Sequence, residues 1–331
     1  MFELLSDDVT RRIYQHLNAQ ERGRFASLNQ SLRRLFKTWD DVQCCSVRSD
    51  GLSLAGESYV FEHEPFVSCL KRCPWIRKLA VHDVRVLAEA DISLIGYLGN
   101  LDELHIPSDL FDSRVPRKQL IESLLSLPKL RILCVQQRYC DDKSHLNIFT
   151  ADHAIAIKSK NVTHIKLQAV TVSSDALEML SVKYPQTLQK LCLIGSLMHT
   201  HDINVYFNAI NRFDNLSALT IPPSLYSISP SNEAFFAAKY PSLQNLQALQ
   251  TLAVFVSRPD VNELKRFVYA VLPTTLQDLI LFDASYQLEL SVKDELGSHM
   301  PKVSIFHLTI DKIDAKGESC LGKEDVPHLT T

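Results

Sequence analysis

Apolar residues fall at the first, fourth and sixth positions of a short motif that recurs along most of this chain. Leu188-Gln189-Lys190-Leu191-Cys192-Leu193 is the plainest copy. The same spacing is met at Ile76-Leu79-Val81, Leu101-Leu104-Ile106, Leu130-Leu133-Val135, Val162-Ile165-Leu167, Leu216-Leu219-Ile221, Leu249-Leu252-Val254, Leu276-Leu279-Leu281 and Val303-Phe306-Leu308, with a fainter copy at Val42-Cys45-Val47. Alternation within the motif predicts a strand with one buried side. The copies recur roughly every 28 residues, a period that belongs to stacked repeat architectures. A second buried residue is expected at the eleventh position, which holds Val86, Phe111, Cys140, Val172, Met198, Tyr226, Tyr286 and Ile313, with Pro259 the exception.

After each motif the apolar spacing lengthens towards 3.6 residues, as a helix requires. Pro116 opens one helix with Leu120, Ile121, Leu124 and Leu125 on one face, and Pro128 ends it. Asp175 with Glu178 predicts a capped helix carrying Leu177, Leu180 and Tyr184, and Val261, Leu264, Val268 and Leu272 mark another. The predicted fold is therefore an α/β solenoid of strand–helix units over residues 41–313, each unit burying its apolar face against its neighbours. Its period and motif resemble the leucine-rich repeat. The ninth position lacks the usual asparagine or cysteine, which resembles the irregular ribonuclease-inhibitor-like horseshoe. The step from Leu216 to Leu249 is the longest, and Leu243-Leu246-Ala248 offers a competing register there.

If the fourth and sixth positions face the core, the third, fifth and seventh face outward on the concave sheet. Early repeats place polar groups there, among them His82, His105, His164 and Lys166. Later repeats place Ile194, Phe255, Ile280, Phe282 and Ile305 there. Exposed apolar residues of this kind mark a surface for a protein target. The other expectation for them is cover, by the C-terminal tail or by curvature of the sheet.

Residues 1–40 do not repeat. Ser6 caps a predicted helix with Asp7 and Asp8 in its first turn and Val9, Ile13 and Leu17 along one stripe. Asn18 and Glu21 have capping-box spacing before a second helix with Phe25 and Leu28, and Leu32, Leu35 and Phe36 follow. This stretch resembles an F-box, on Leu5, Asp8, Val9, Ile13, Leu17, Phe25, Leu28 and Leu35. It departs from that pattern at Ser6, Arg22 and Leu32, where proline, leucine and tryptophan are usual. The resemblance implies a non-catalytic substrate receptor of an SCF-type cullin-RING ubiquitin ligase. Leu5, Val9, Ile13, Leu17, Leu28 and Leu32 would meet the adaptor subunit, and through it a cullin. The open end of a solenoid core also requires a cover, and the same helices would serve as that cap in a leucine-rich scaffold unrelated to ubiquitin.

Bulk composition narrows the remaining classes. A formal charge of −3 gives no electrostatic reason to expect nucleic acid or an anionic membrane as partner. Met1 to Asp8 lacks a basic leader, so cytoplasm or nucleus is expected, and the eight cysteines are read as reduced thiols. The nine glycines form no phosphate loop, and no cofactor is expected. His199, His201 and Asp202 form the densest group of candidate metal ligands, but further ligands are missing nearby, so no metal is expected. Beyond Ile313 the chain turns polar, predicting a mobile tail over 314–331.

Overall fold

Ser6 begins the first helix as its side chain requires: the hydroxyl accepts the Val9 amide, and Asp7 and Asp8 sit near the positive helix end. The computed structural model describes residues 6–17, 19–28, 30–35, 42–48, 51–54, 57–59, 70–73, 75–82, 95–112, 117–136, 147–194, 204–221, 242–256, 267–268, 271–283 and 302–307. Three short helices come first: α1 (Asp7–Gln15), α2 (Ala19–Ser27) and α3 (Gln30–Leu35). Asn18, Phe36, Val261 and Leu264, the tail 314–331, and the eleventh-position residues other than Phe111 and Val172 lie outside the described residues. Phe111 and Val172 are buried.

Ten strands, one for each copy of the motif, form a mostly parallel sheet that does not close into a barrel. They are β1 (Cys44–Arg48), β4 (Lys78–Val81), β5 (Glu103–Pro107), β6 (Ile132–Gln136), β8 (His164–Gln168), β10 (Lys190–Ile194), β11 (Ala218–Ile221), β12 (Thr251–Val256), β13 (Asp278–Asp283) and β14 (Lys302–His307). Neighbours in the sheet are successive motifs of the chain. The fourth-position residues pair in one line from Cys45 through Leu79, Leu104, Leu133, Ile165, Leu191, Leu219, Leu252 and Leu279 to Val303. Every one of them is buried. Leu252 pairs with Leu219, which selects the Leu249 register and leaves Leu243 and Leu246 as buried turn residues ahead of the strand.

Two features differ from the sequence expectation. Val303 pairs with Leu279 and Ile305 with Leu281, so the last motif begins three residues earlier than expected. The run Val303-Ser304-Ile305-Phe306-His307-Leu308 is apolar in two phases, and pairing with β13 selects between them. Secondly, β2 (Gly51–Leu54) and β3 (Glu57–Tyr59), which carry no copy of the motif, extend the sheet beyond β1 as antiparallel strands.

A main-chain seam joins the units where their strands begin. The carbonyl of Gln43 accepts the amides of both Arg77 and Lys78, at 2.8 and 3.0 Å. Arg77 accepts those of Asp102 and Glu103 at 2.8 and 2.9 Å, and Asp102 those of Arg131 and Ile132 at 2.7 and 2.9 Å. The same pair of bonds recurs on Arg131, Thr163, Gln189, Ser217 and Gln250.

Helices α4 (Lys118–Leu125), α5 (Ala151–Ala156), α6 (Ser174–Lys183) and α7 (Asn204–Ile210) pack in sequence order and share one core with the inward strand residues. Helix α4 buries Leu120, Ile121, Leu124 and Leu125, the stripe its spacing predicted. Helix α6 is capped by Ser173, whose hydroxyl accepts the Ala176 amide at 3.2 Å, rather than by Asp175. Tyr184, fully buried, donates its hydroxyl to the carbonyls of Ser159 at 2.9 Å and Ile157 at 3.3 Å. A small parallel pair, β7 (Ile148–Phe149) with β9 (Thr171–Val172), lies beside Phe111, whose ring meets His153 edge-on at 5.0 Å. Among the described residues, no helix is long and apolar enough to cross a membrane.

Candidate interaction surfaces

The alternation of the motif sorts the strands into two faces. In β6, β8 and β10 the fourth- and sixth-position residues are buried and the third, fifth and seventh are half-buried. The register then aligns the outward residues in rows across the sheet. One row runs Lys78, Glu103, Ile132, His164 and Lys190, and the next runs Ala80, His105, Cys134, Lys166 and Cys192. His105, His164 and Lys166 therefore come together on one face, as the spacing predicted. His82 follows β4 on the same side of the pattern, with Nε2 at 3.1 Å from the Ser46 hydroxyl.

Glu103 organises the charge on this face. Its Oε1 lies 2.6 Å from the Lys78 ammonium and 2.6 Å from His105 Nε2. Burial alone would raise its pKa, but the bonds and charges of Lys78 and His105 outweigh burial and hold the carboxyl below its ordinary range. Burial pushes His105 down despite Glu103, assisted by Lys78 and Lys166. His164 is also pushed down, first by burial and then by Lys190 and Arg131, and its Nδ1 is 2.7 Å from the Thr163 hydroxyl. The thiols flanking Lys166 stay protonated: burial pushes Cys134 up to about 11 and pushes Cys192 up as well. The described residues contain no group of three or more His, Cys, Asp and Glu suited to a metal ion, and His199, His201 and Asp202 lie outside them.

The apolar half of the face differs from expectation. Phe282 retains only 6% exposure and clusters with Ala253 and the half-buried Ile280, so it is not free surface. Ile305 is corrected too: its partner is the inward Leu281, and Ser304 and Phe306 take the outward positions. Phe255 pairs with Phe282, and Phe282 with Phe306, giving one phenylalanine row; nothing further is described of the Phe255 and Ile305 side chains. Ile194 keeps its outward, half-buried place.

At the N-terminus, Val9, Ile13 and Leu28 are exposed, at 43%, 38% and 60%. Val9 and Ile13 stand one turn apart on α1, hence on one face. Leu17 is half-buried and packs against the core. Leu32 is buried at 5%, which removes it from the expected adaptor contacts: it belongs to the core with Tyr14, Phe25 and Ala26. Leu5 lies outside the described residues. Arg22, at the position where the F-box pattern has leucine, is also buried. Its Nε donates to the Leu17 carbonyl at 2.8 Å, Nη2 donates to the Gln15 carbonyl at 3.1 Å, and its guanidinium lies 5.1 Å from the Tyr14 ring centre. Arg22 thus places a cation where α1 ends and its carbonyls lack helical partners.

One feature escaped the sequence reading. Along the rim where β1, β4, β5 and β6 begin, Gln43, Trp75, Arg77, Asn100, Asp102, Lys129, Arg131 and Asn161 line a groove of about 730 Å³. The signal was present as charge at one repeat position, because Arg77, Asp102 and Arg131 each stand second in their motif. No family model and no curated protein matches this chain.

Proposed function

We propose that this chain is a leucine-rich repeat F-box protein: the non-catalytic substrate receptor of an SCF-type cullin-RING ubiquitin ligase. Residues 41–313 form its horseshoe and hold a protein target, and residues 1–40 dock on the adaptor. The observation that carries the docking half is the division of the helical module. Tyr14, Phe25, Ala26 and Leu32 are buried, while Val9, Ile13 and Leu28 remain uncovered on helices that have no other use for them. The in-register parallel sheet with an open, mixed-polarity face supports the target-holding half. Burial of one such leucine contributes about 1.5–3 kcal/mol, so a charge there lowers adaptor affinity at least about tenfold.

Co-expression with the adaptor subunit, purification through a tag on the adaptor, and an Ile13→Asp/Leu28→Asp variant test this. Co-purification of the wild type and its loss in the still-folded variant is the expected result; a well-folded wild type that does not co-purify overturns it. A second reading rests on one observation: the buried residues of the helical module belong to the same core cluster as Val42, Cys45 and Leu79. In that reading the helices cap a scaffold unrelated to ubiquitin. Removing residues 1–40 separates the two, because a cap is required for the horseshoe to fold and a docking module is not.

A further inference from the structure

We propose that the rim groove is an oxyanion subsite, which receives the carboxylate or phosphoryl groups of an acidic, extended segment of the target protein. The proposal rests on the target-holding reading above and adds to it the chemistry of the segment recognised.

Three observations lead to it. The first is placement. Arg77, Asp102 and Arg131 occupy the same repeat position on adjacent units, and their backbones are fixed by the carbonyl seam. Adjacent strands lie about 4.8 Å apart, so the two arginines start roughly 10 Å apart with Asp102 between them. An extended segment with acids two residues apart spans about 7 Å, within the reach of both side chains.

The second is charge that nothing else uses. The groove holds Arg77, Lys129 and Arg131 against a single carboxylate, Asp102. Among the described residues, the side chains of Arg77, Arg131 and Asp102 make no ion pair or hydrogen bond, and the Lys129 ammonium meets only the neutral Asn100 Oδ1, at 2.6 Å. Two cations elsewhere on the sheet are committed, Lys78 to Glu103 at 2.6 Å and Lys302 to Asp278 at 3.2 Å. Free guanidinium forks match the paired oxygens of a carboxylate or phosphate. The third is Trp75, whose ring is 56% exposed in the same groove and offers an apolar platform beside the charges. The groove is open to water, so binding to it falls steeply with salt.

The test uses the full chain, without adaptor or target, and titrates it by calorimetry at low and moderate salt. Probes are hexaglutamate, hexaglutamine, and a neutral hexapeptide carrying one phosphoserine. At least one anionic peptide binds and hexaglutamine does not; whichever anionic peptide binds more tightly identifies carboxylate or phosphoryl as the preferred oxyanion. Arg77→Gln/Arg131→Gln weakens binding at least tenfold with an unchanged melting temperature, since neither side chain has a partner among the described residues. The charge-matched pair Lys118→Gln/Arg212→Gln, in α4 and in the turn after α7, leaves it intact. The proposal falls if neither anionic peptide exceeds hexaglutamine at low salt, or if the rim and helix variants weaken binding equally. Adaptor co-purification is independent of these titrations, so either idea can fail alone.

Discussion

Replacing Arg22 by methionine removes the guanidinium, which lies 5.1 Å from the Tyr14 ring centre, and keeps an apolar side chain of similar length. The guanidinium donates to the carbonyls of Leu17 at 2.8 Å and Gln15 at 3.1 Å. A bond from a charged donor contributes about 1.5–3 kcal/mol, a cation at a helix C-terminus about 0.3–1, and stacking on an aromatic ring about 0.5–2. Dehydrating the cation opposes these by several kcal/mol. Methionine recovers some apolar burial but leaves two carbonyls unpaired, and an unpaired buried acceptor costs about 1–3 kcal/mol. The net expectation is a loss of about 2 kcal/mol, confined at first to the helical module. Amide exchange in α1 and α2 of the full chain reads this directly, since 2 kcal/mol corresponds to roughly 30-fold faster opening. Arg22→Lys, which keeps charge but not the fork, should fall between. Exchange in Arg22→Met that is unchanged or slower would refute the reasoning, because dehydration would then outweigh the bonds.

Other expectations are as direct. Tyr184→Phe removes the donor to the Ser159 and Ile157 carbonyls and should lower unfolding stability by about 1–3 kcal/mol, read as a lower urea midpoint at unchanged slope. Ala169 has φ 55°, the left-handed region that favours glycine, so Ala169→Gly should raise unfolding stability by about 0.5–1 kcal/mol and Ala169→Val should lower it, both read from the urea midpoint. His105, His153 and His164 are all pushed down, by burial first, so the unfolded chain takes up protons before the folded one. Stability is therefore retained above the ordinary histidine range near 6.5 and lost as pH falls through it, which melting curves at pH 7.5 and 5.5 will show. His153 Nδ1 accepts the Thr150 amide at 3.0 Å, so His153→Gln, which keeps an acceptor, should flatten part of that slope.

The strands were legible because their apolar positions repeat in one phase; where two phases coexist, at Val303 to Leu308, spacing alone could not choose between them. The strands β2 and β3 carried no repeat and were missed. On short helices several large apolar residues compete for few buried places, so the sequence offered Leu32 as surface and gave no reason for Arg22, whose role exists only once α1 and α2 meet. Ser173 and Asp175 are both good caps, and two residues of ambiguity is the ordinary limit at a helix end. Phe282 was assigned to the correct face, yet alternation along one strand says nothing about what adjacent strands cover. The rim groove went unread for a similar reason, since Arg77 and Arg131 resemble any solvated cations until the repeats set them side by side.

The paired bonds from each unit to the carbonyl of the one before have a consequence for how this chain tolerates variation. From β4 to β13 each strand takes its starting point from its immediate predecessor, so the phase of the sheet is reset at each of these steps. Spacings as unequal as Ile76 to Leu101 and Leu216 to Leu249 therefore leave no accumulated misalignment: Leu79 and Leu279 lie on the same row. The unequal lengths fall between the end of one strand and the start of the next. A lineage of such chains can lengthen one connection, or lose a whole unit between equivalent carbonyls, and still close the seam.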